Sequence, residues 1–209
     1  MKNRKKYRSY RELAAFEVEG VDFRIRRRRG SSELAIMAIH GGGIEPGTTE
    51  IADAVAGDRH SFYSFSGLKK SENFVLHITS RRFDEPIGLA VAGEATFILS
   101  IHGCGDSNLM ILLGGRNEAL KEKIRNSLEK DGFQVKNSVR FPGLSPMNIC
   151  NRCLSGAGVQ MEICHGLRSR MFYSLLRSER HNTTEVFNRF VTAVKKALEE
   201  YLKGPPPAF

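Results

Sequence analysis

LAIMAIHGGGIE occupies residues 34–45 and carries the clearest strand signal of the chain. Its first six residues are apolar without alternation, which predicts a strand that helices cover on both faces. His40 ends this strand, and three glycines separate it from Ile44 and Glu45. In open α/β sheets, ligands collect beyond the carboxyl ends of the strands. The segment therefore predicts both a central strand and a functional site at its end.

Short apolar runs alternate with helical patterns along the rest of the chain, which favours an α/β fold. Further strands are predicted at residues 61–65, 74–79, 95–102, 109–113 and 159–164, with an amphipathic hairpin at residues 16–26. Helices are predicted at residues 48–55, after a cap at Asp84, from Asn117 to just before Gly132, from Ser145 through Cys153, and from a capping box of Asn182 and Glu185 to Gly204.

This order predicts one three-layer domain over residues 1–204, with a central mixed, largely parallel sheet flanked by helices. Residues 1–11 are expected to form a basic N-terminal segment and residues 205–209 a disordered tail. With 209 residues, 41% of them hydrophobic, the chain can bury a single core. We expect it to act as a monomer.

The N-terminus is charged like the start of a signal peptide, but no apolar stretch follows it and no segment is apolar enough for a membrane. We therefore expect the protein to be cytoplasmic as synthesised and to act outside the cell only after lysis. In that compartment its four cysteines are expected to be reduced. The Cys150/Cys153 pair could be a redox dithiol or half of a zinc site, but buried small hydrophobic residues are the simpler interpretation.

The formal net charge of +9 indicates attraction to a polyanion. Nucleic acid, an acidic polypeptide and an anionic surface would all be drawn by the same field. The basic residues cluster at residues 2–11 and 26–29, and each stretch by itself is typical of a solvated terminus or strand end. Charge alone therefore narrows the partner only to something negative.

Ile101-His102-Gly103 repeats the sequence around His40, so two imidazoles are predicted at two strand ends. With Glu45 they provide the ligand types that a catalytic zinc uses while one coordination position stays open. The glycines after His40 could instead cradle a phosphate, but they lack the Lys-Ser/Thr of a P-loop. Single histidines elsewhere are interpreted as structural; these are His60, His77, His165 and His181.

A metal hydrolase also needs a base that takes a proton from water and passes it to the leaving amine. Glu162 is the candidate, because it stands in the otherwise apolar strand at residues 159–164, where an unpaired charge would be costly. The alternative is a structural ion pair between Glu162 and Arg168.

Several blocks of this sequence together resemble the poly-γ-glutamate hydrolase family of phages and Bacillus. They are AIHGGGIEPGTTE at residues 38–50, SFYSF at 61–65, LHITS at 76–80, FDEP at 83–86, SIHG at 100–103, NICNR at 148–152 and GVQME at 158–162. The resemblance implies a Zn²⁺-dependent peptidase with a carboxypeptidase-like fold that cuts γ-glutamyl amide bonds. It further implies that His40, Glu45 and His102 bind zinc, and that Glu162, by chain order, is the base.

A substrate with a carboxylate on every residue would suit arginines near the cleft; Arg116, Arg152 and Arg168 each adjoin a matched block. Two other functions stay open. The basic segments, and the label of phage-related replication protein that some family members carry, would fit a non-enzymatic DNA-binding protein. A zinc amidohydrolase of small acyl-glutamate or γ-peptide substrates would use the same site. Cys153 and Cys164-His165 depart from the family's pattern and bear on substrate range.

Overall fold

A computed structural model describes residues 7–204. The predicted disordered tail and the first six residues of the basic N-terminal segment lie outside the described part, so the predicted extent of the domain stays a prediction. The strands are β1 (Phe23–Arg28), β2 (Leu34–Gly42), β3 (Ser61–Gly67), β4 (Phe97–Cys104), β5 (Met110–Gly115), β6 (Gln134–Asn137) and β7 (Val159–Cys164). The helices are α1 (Tyr10–Ala14), α2 (Thr48–Ala56), α3 (Pro86–Glu94), α4 (Glu118–Lys130), α5 (His165–Met171) and α6 (Glu185–Lys203), with 3₁₀ turns at Asn73–Leu76 and Ile149–Asn151.

The strands form a seven-stranded sheet in the order β1-β3-β2-β4-β7-β5-β6. Within residues 7–204, four neighbouring pairs are parallel, and β1 with β3 and β5 with β7 are antiparallel. All nine residues of β2 are buried, as expected for a strand covered on both faces. The predicted mixed, largely parallel sheet is confirmed.

Successive residues of β2 point to opposite faces of the sheet and enter two separate cores. Ile36 packs into the core formed with α2, α4, α5 and α6, whereas Met37 packs into the core on the side of α1 and α3. The second core also contains Cys150 and Cys153, which are buried as predicted. The result is the predicted three-layer arrangement.

Two predicted β segments are wrong. Residues 74–79 begin inside a 3₁₀ turn, where His77 N–H bonds to Phe74 O at 3.1 Å, and continue as an irregular loop beside the sheet edge. Residues 16–26 do not form a hairpin, because residues 18–22 close a tight turn in which Asp22 N–H bonds to Val18 O at 2.8 Å. Only β1 is a strand, and it pairs with β3, where Phe23 stacks on Phe65.

The starts of three helical segments differ from prediction. Glu85, not Asp84, caps α3, because its longer side chain reaches the N–H groups of Ile87 and Gly88. The last helix begins after Thr184 instead of Asn182, since Thr183 bridges to Phe172 in an extended segment. The predicted Ser145 helix shrinks to the 3₁₀ turn, whose cap is Asn148. The short elements α1, β6 and α5 were not predicted from the sequence.

Among residues 7–204, no helix has the length and apolar character needed to cross a membrane.

Candidate active site

Three adjacent parallel strands, β2, β4 and β7, end at the same edge of the sheet. His40 of β2 and His102 of β4 lie at this edge. Glu162 of β7 lies beside His102 in the pairing of β4 with β7. Parallel pairing is the reason that residues far apart in sequence meet here. The side chains of His40, His102 and Glu162 are all buried.

Glu45 returns to His40 through the glycine turn. Gly42 has a φ of +65°, and a Cβ there would lie 2.4 Å from the Gly67 carbonyl oxygen, so only glycine fits. The Glu45 N–H donates to His40 O at 2.9 Å and closes the turn. The predicted sharp return of Glu45 toward His40 is present.

Two imidazole nitrogens and one carboxylate converge at this point. His40 Nδ1 lies 3.1 Å from His102 Nδ1 and 3.0 Å from Glu45 Oε1. Glu45 Oε2 lies 3.6 Å from His102 Nδ1 and accepts the Gly103 N–H at 2.9 Å. The three side chains predicted as ligands are therefore brought together.

The outer ring nitrogens, His40 Nε2 and His102 Nε2, have partners that orient the two Nδ1 atoms facing each other. His40 Nε2 lies 2.6 Å from Ile78 O, and since a carbonyl only accepts, Nε2 carries the hydrogen. His102 Nε2 lies 2.8 Å from the Ser100 hydroxyl. With a hydrogen on Nε2, His40 turns its Nδ1 toward His102 Nδ1 and the Glu45 carboxylate. A metal cation or a hydrogen on His102 Nδ1 satisfies this contact, and outer bonds of this kind are what hold histidines on a metal.

The charges of the site follow from this proximity. Burial opposes ionisation of Glu45, but the neighbouring His40 and His102 outweigh it and hold the pKa of Glu45 well below its usual value. Burial also disfavours a charged His102, yet the bond to Glu45 prevails and raises the pKa of His102. The site is thus built around an ionised carboxylate that attracts positive charge.

His77, which the sequence analysis interpreted as structural, belongs to this site. Its ring stacks on that of His40 with centroids 3.8 Å apart, and its Nε2 lies 3.7 Å from Glu45 Oε1. His40, Glu45 and His77 therefore form a second possible set of three metal ligands. The signal that could have found His77 is its place inside the matched block at residues 76–80.

Glu162 is a buried carboxylate at the same pocket. Burial raises its pKa to about 7, although His102 opposes the shift. Its Oε1 accepts a hydrogen bond from Gln160 Nε2 at 3.0 Å. No ion pair between Glu162 and Arg168 is present among the described residues, whose ion pairs of 4.0 Å or less do not include it. A carboxyl that titrates near neutrality beside two imidazoles has the properties of a general base.

These residues line a cavity of about 550 Å³ with Phe74 and Phe141 among its walls. Arg140 also lines it, and its guanidinium lies over the Phe141 ring at 5.0 Å. Sequence analysis did not select Arg140, because it lies in the loop after β6, outside the matched blocks.

The three arginines predicted to bind substrate lie elsewhere. Arg168 is buried, and its guanidinium donates to the carbonyls of Ile163, Pro46 and Cys104. Arg116 is exposed and bonds to Gly156 O, while Arg152 bonds to Phe83 O. None of the three lines the cavity.

A parallel sheet edge that presents two imidazoles and two carboxylates to one cavity is typical of metal-dependent hydrolases. Comparison with known proteins agrees. Residues 7–193 match the family model described as poly-gamma-glutamate hydrolase. The UPF0714 protein YndL of Bacillus subtilis strain 168 is 35% identical over 196 residues, which cover 88% of this chain and 77% of YndL.

Solved structures give the same result. A bacteriophage poly-gamma-glutamate hydrolase superposes with a TM-score of 0.91 at 35% identity, covering 95% of this chain and 98% of that one. A zinc-free structure of YndL gives 0.91 at 31% identity, over 95% and 99% of the two chains. An N-formylglutamate amidohydrolase from Ralstonia eutropha JMP134 shares the fold with a TM-score of 0.57 at 12% identity, over 88% and 99%. The chain belongs to the poly-gamma-glutamate hydrolase family and is a hydrolase.

Proposed function

We propose that this protein is a zinc-dependent hydrolase of the γ-glutamyl amide bonds of poly-γ-glutamate, with His40, Glu45 and His102 as the metal ligands. The observation that carries the proposal is the approach of His40 Nδ1 and His102 Nδ1 to 3.1 Å beside an ionised Glu45. Zinc is the cation to test first, because a structure of the relative YndL is described as zinc-free. Zinc held here would act as a Lewis acid that polarises the scissile carbonyl and makes water more acidic.

Proton transfer is the role of Glu162. Glu162 accepts the proton of the attacking water and then gives it to the leaving amine nitrogen, so that the amine departs neutral. Its pKa of about 7 suits both transfers, because the carboxyl changes protonation state near neutral pH. Gln160 holds one carboxylate oxygen through its amide N–H.

Substrate recognition falls to the wall of the cavity. Arg140 is exposed, has no ion pair among the described residues and lies at the cavity rim, so its guanidinium is available for a substrate carboxylate. Phe74 and Phe141 provide apolar walls for the methylene groups of glutamate. Of the arginines proposed from the sequence, Arg116 and Arg152 would contact only distant parts of a long polymer.

The test is cleavage of poly-γ-glutamate by four proteins, with elemental analysis of each. We expect the wild type to bind about one zinc per chain, as a three-ligand site holds one ion, and to shorten the polymer until a chelator is added. His102→Ala is expected to lose both zinc and activity. Glu162→Gln is expected to keep zinc and lose turnover. His181→Ala, an exposed histidine outside the cavity, is the matched control and should change neither.

Full activity of His102→Ala would refute the ligand assignment, and full activity of Glu162→Gln would remove Glu162 from the role of base. If short γ-linked peptides were hydrolysed and the polymer were not, the enzyme would instead be an amidohydrolase of small substrates. DNA binding without metal or hydrolysis would favour the non-enzymatic alternative.

A further inference from the structure

Two buried side-chain amides connect the main chain to Glu162. Asn148 caps the 3₁₀ turn, with its Oδ1 accepting the Cys150 N–H at 3.2 Å. Its Nδ2 donates to Gln160 Oε1 at 2.7 Å, and Gln160 Nε2 donates to Glu162 Oε1 at 3.0 Å. Asn148, Gln160 and Glu162 are 6%, 4% and 6% exposed, so water does not compete freely with these bonds.

The donor and acceptor atoms in this series of hydrogen bonds are determined by the groups at its ends, the Cys150 N–H and the Glu162 carboxylate. The nitrogen and oxygen of an amide side chain have nearly the same shape, so the bonding partners must decide which is which. A main-chain N–H can only donate, hence the Asn148 atom facing Cys150 is the oxygen and its NH₂ faces Gln160. Gln160 must then present its oxygen to Asn148 and its NH₂ to Glu162.

The Phe141 carbonyl group independently requires the same orientation of the Gln160 amide. Gln160 Nε2 also lies 3.4 Å from the Phe141 carbonyl oxygen, which can only accept. Both ends of the chain therefore require that Gln160 present an N–H to Glu162. An N–H at this place holds one carboxylate oxygen and stabilises the ionised form, which is the form a base needs.

We propose that Asn148 and Gln160 are positioning residues, which together fix an amide N–H on Glu162 Oε1 and so hold that carboxylate ready to accept a proton. The proposal rests on the role of Glu162 in the proposed function. Asn148 acts only through Gln160, because its side chain contacts neither Glu162 nor the cavity.

Asn148→Asp tests the direction of the chain with almost no change in shape. Both Asp oxygens accept, so Cys150 N–H keeps its partner while Gln160 must turn its NH₂ toward residue 148. Its carbonyl then faces Glu162 and opposes the ionised carboxylate. We expect kcat to fall on the order of tenfold to a hundredfold, with KM changed less than about twofold, because a charge-assisted hydrogen bond is replaced by a repulsive contact.

Gln160→Met, which keeps the length and removes the amide, shows whether Asn148 acts through Gln160. We expect Asn148→Asp to reduce kcat no further in the Gln160→Met background, since a shared pathway makes the two effects non-additive. Asn137→Asp introduces the same charge on β6, where the new carboxylate still accepts from Arg125, and should leave kcat unchanged. Additive losses would indicate separate structural effects and overturn the proposal.

A spectroscopic measurement needs neither metal nor substrate. In ¹⁵N-labelled protein, the Gln160 side-chain amide resonance should show a strong NOE to the Glu162 side chain. In Asn148→Asp the resonance should move, and its NOE should pass to the side chain of residue 148. An unmoved resonance in the folded variant would refute the relay. If the wild type failed to cleave poly-γ-glutamate while this resonance behaved as expected, the proposed function would fail and the amide relay would stand.

Discussion

His77 stacks on His40 and lies near Glu45, so the residues of this site offer two possible sets of three metal ligands. His77 Nε2 lies 3.7 Å from Glu45 Oε1 and His102 Nδ1 lies 3.6 Å from Glu45 Oε2, so their distances to the carboxylate do not distinguish the two histidines. His102 points Nδ1 at His40 Nδ1 from 3.1 Å and has the Ser100 contact behind it, whereas His77 turns its ring face to His40, and this favours His102 as the third ligand. His77 then serves to hold the His40 ring in place by stacking.

His77→Phe separates these roles, because phenylalanine keeps a flat ring on His40 and removes the nitrogens. We expect this variant to keep about one zinc per chain and to lose activity only severalfold, since stacking is retained while a second contact to Glu45 is lost. Elemental analysis and the rate of polymer cleavage are the measurements. If His77→Phe lost zinc and His102→Ala retained it, His77 and not His102 would be the third metal ligand.

Arg140→Gln tests the proposed carboxylate contact. Removing a charge-assisted hydrogen bond should raise KM for poly-γ-glutamate roughly tenfold to a hundredfold and leave zinc content unchanged. Arg116→Gln is the matched control, because Arg116 is an exposed arginine outside the cavity. An equal rise of KM in both variants would mean that the polymer senses general positive charge and not Arg140.

Sequence could identify His40, His102, Glu45 and Glu162 because they stand on or directly after regular strands, whose ends meet by the rules of parallel sheets. His77 follows a 3₁₀ turn, and no period relates it to the strands. Arg140 belongs to a loop whose course depends on long-range contacts, among them that of Phe141 O with Gln160 Nε2. Loop geometry of this kind cannot be derived from local sequence pattern.

At the scale of elements, α5 is joined to the site through Arg168. Its guanidinium connects the end of β7 at Ile163 O, the end of β4 at Cys104 O and the turn after Glu45 at Pro46 O. Gly103 leaves room for it, since a Cβ there would lie 2.5 Å from Arg168 Cζ. The arginine thus stabilises the relative positions of the elements that carry the proposed ligands.

Arg168→Met should therefore act on stability. It leaves three carbonyl groups without this donor, two of them in buried hydrogen bonds, so we expect the free energy of unfolding of the metal-free protein to fall by about 2–4 kcal/mol. Denaturant unfolding measures this, with exposed Arg170→Met on the same helix as the control. Unchanged stability with a raised KM would instead return Arg168 to the substrate-binding role that the sequence suggested.

The long, strongly patterned elements were predictable, and the short ones were not. α4 and β2 have caps or uninterrupted apolar runs that local physics can interpret, such as the Asn117 side chain that accepts the Leu120 N–H. β6 is four residues long and α5 seven, which is too short for a period to emerge. Their places are set by pairing with β5 and by the Arg168 bonds, which are tertiary interactions.

At the scale of the whole molecule, the charge of +9 did not distinguish one polyanion from another. Membership of the family makes the distinction, because residues 7–193 match the model described as poly-gamma-glutamate hydrolase. Long-range attraction and local chemistry are therefore separate contributions that can be measured separately.

Salt should affect the polymer and a short substrate differently. A long polyanion is attracted by the field of the whole protein, so raising NaCl from about 50 to about 300 mM should lower kcat/KM for poly-γ-glutamate roughly tenfold as that field is screened. A γ-linked glutamate dipeptide carries few charges and is held mainly by contacts inside the cavity, where screening is weaker. For it we expect a change below about twofold. Parallel assays of zinc-saturated enzyme at each salt concentration exclude metal loss as the cause. Equal salt dependence for both substrates would show that the attraction arises within the cavity, from Arg140 and the metal, and not from the net charge.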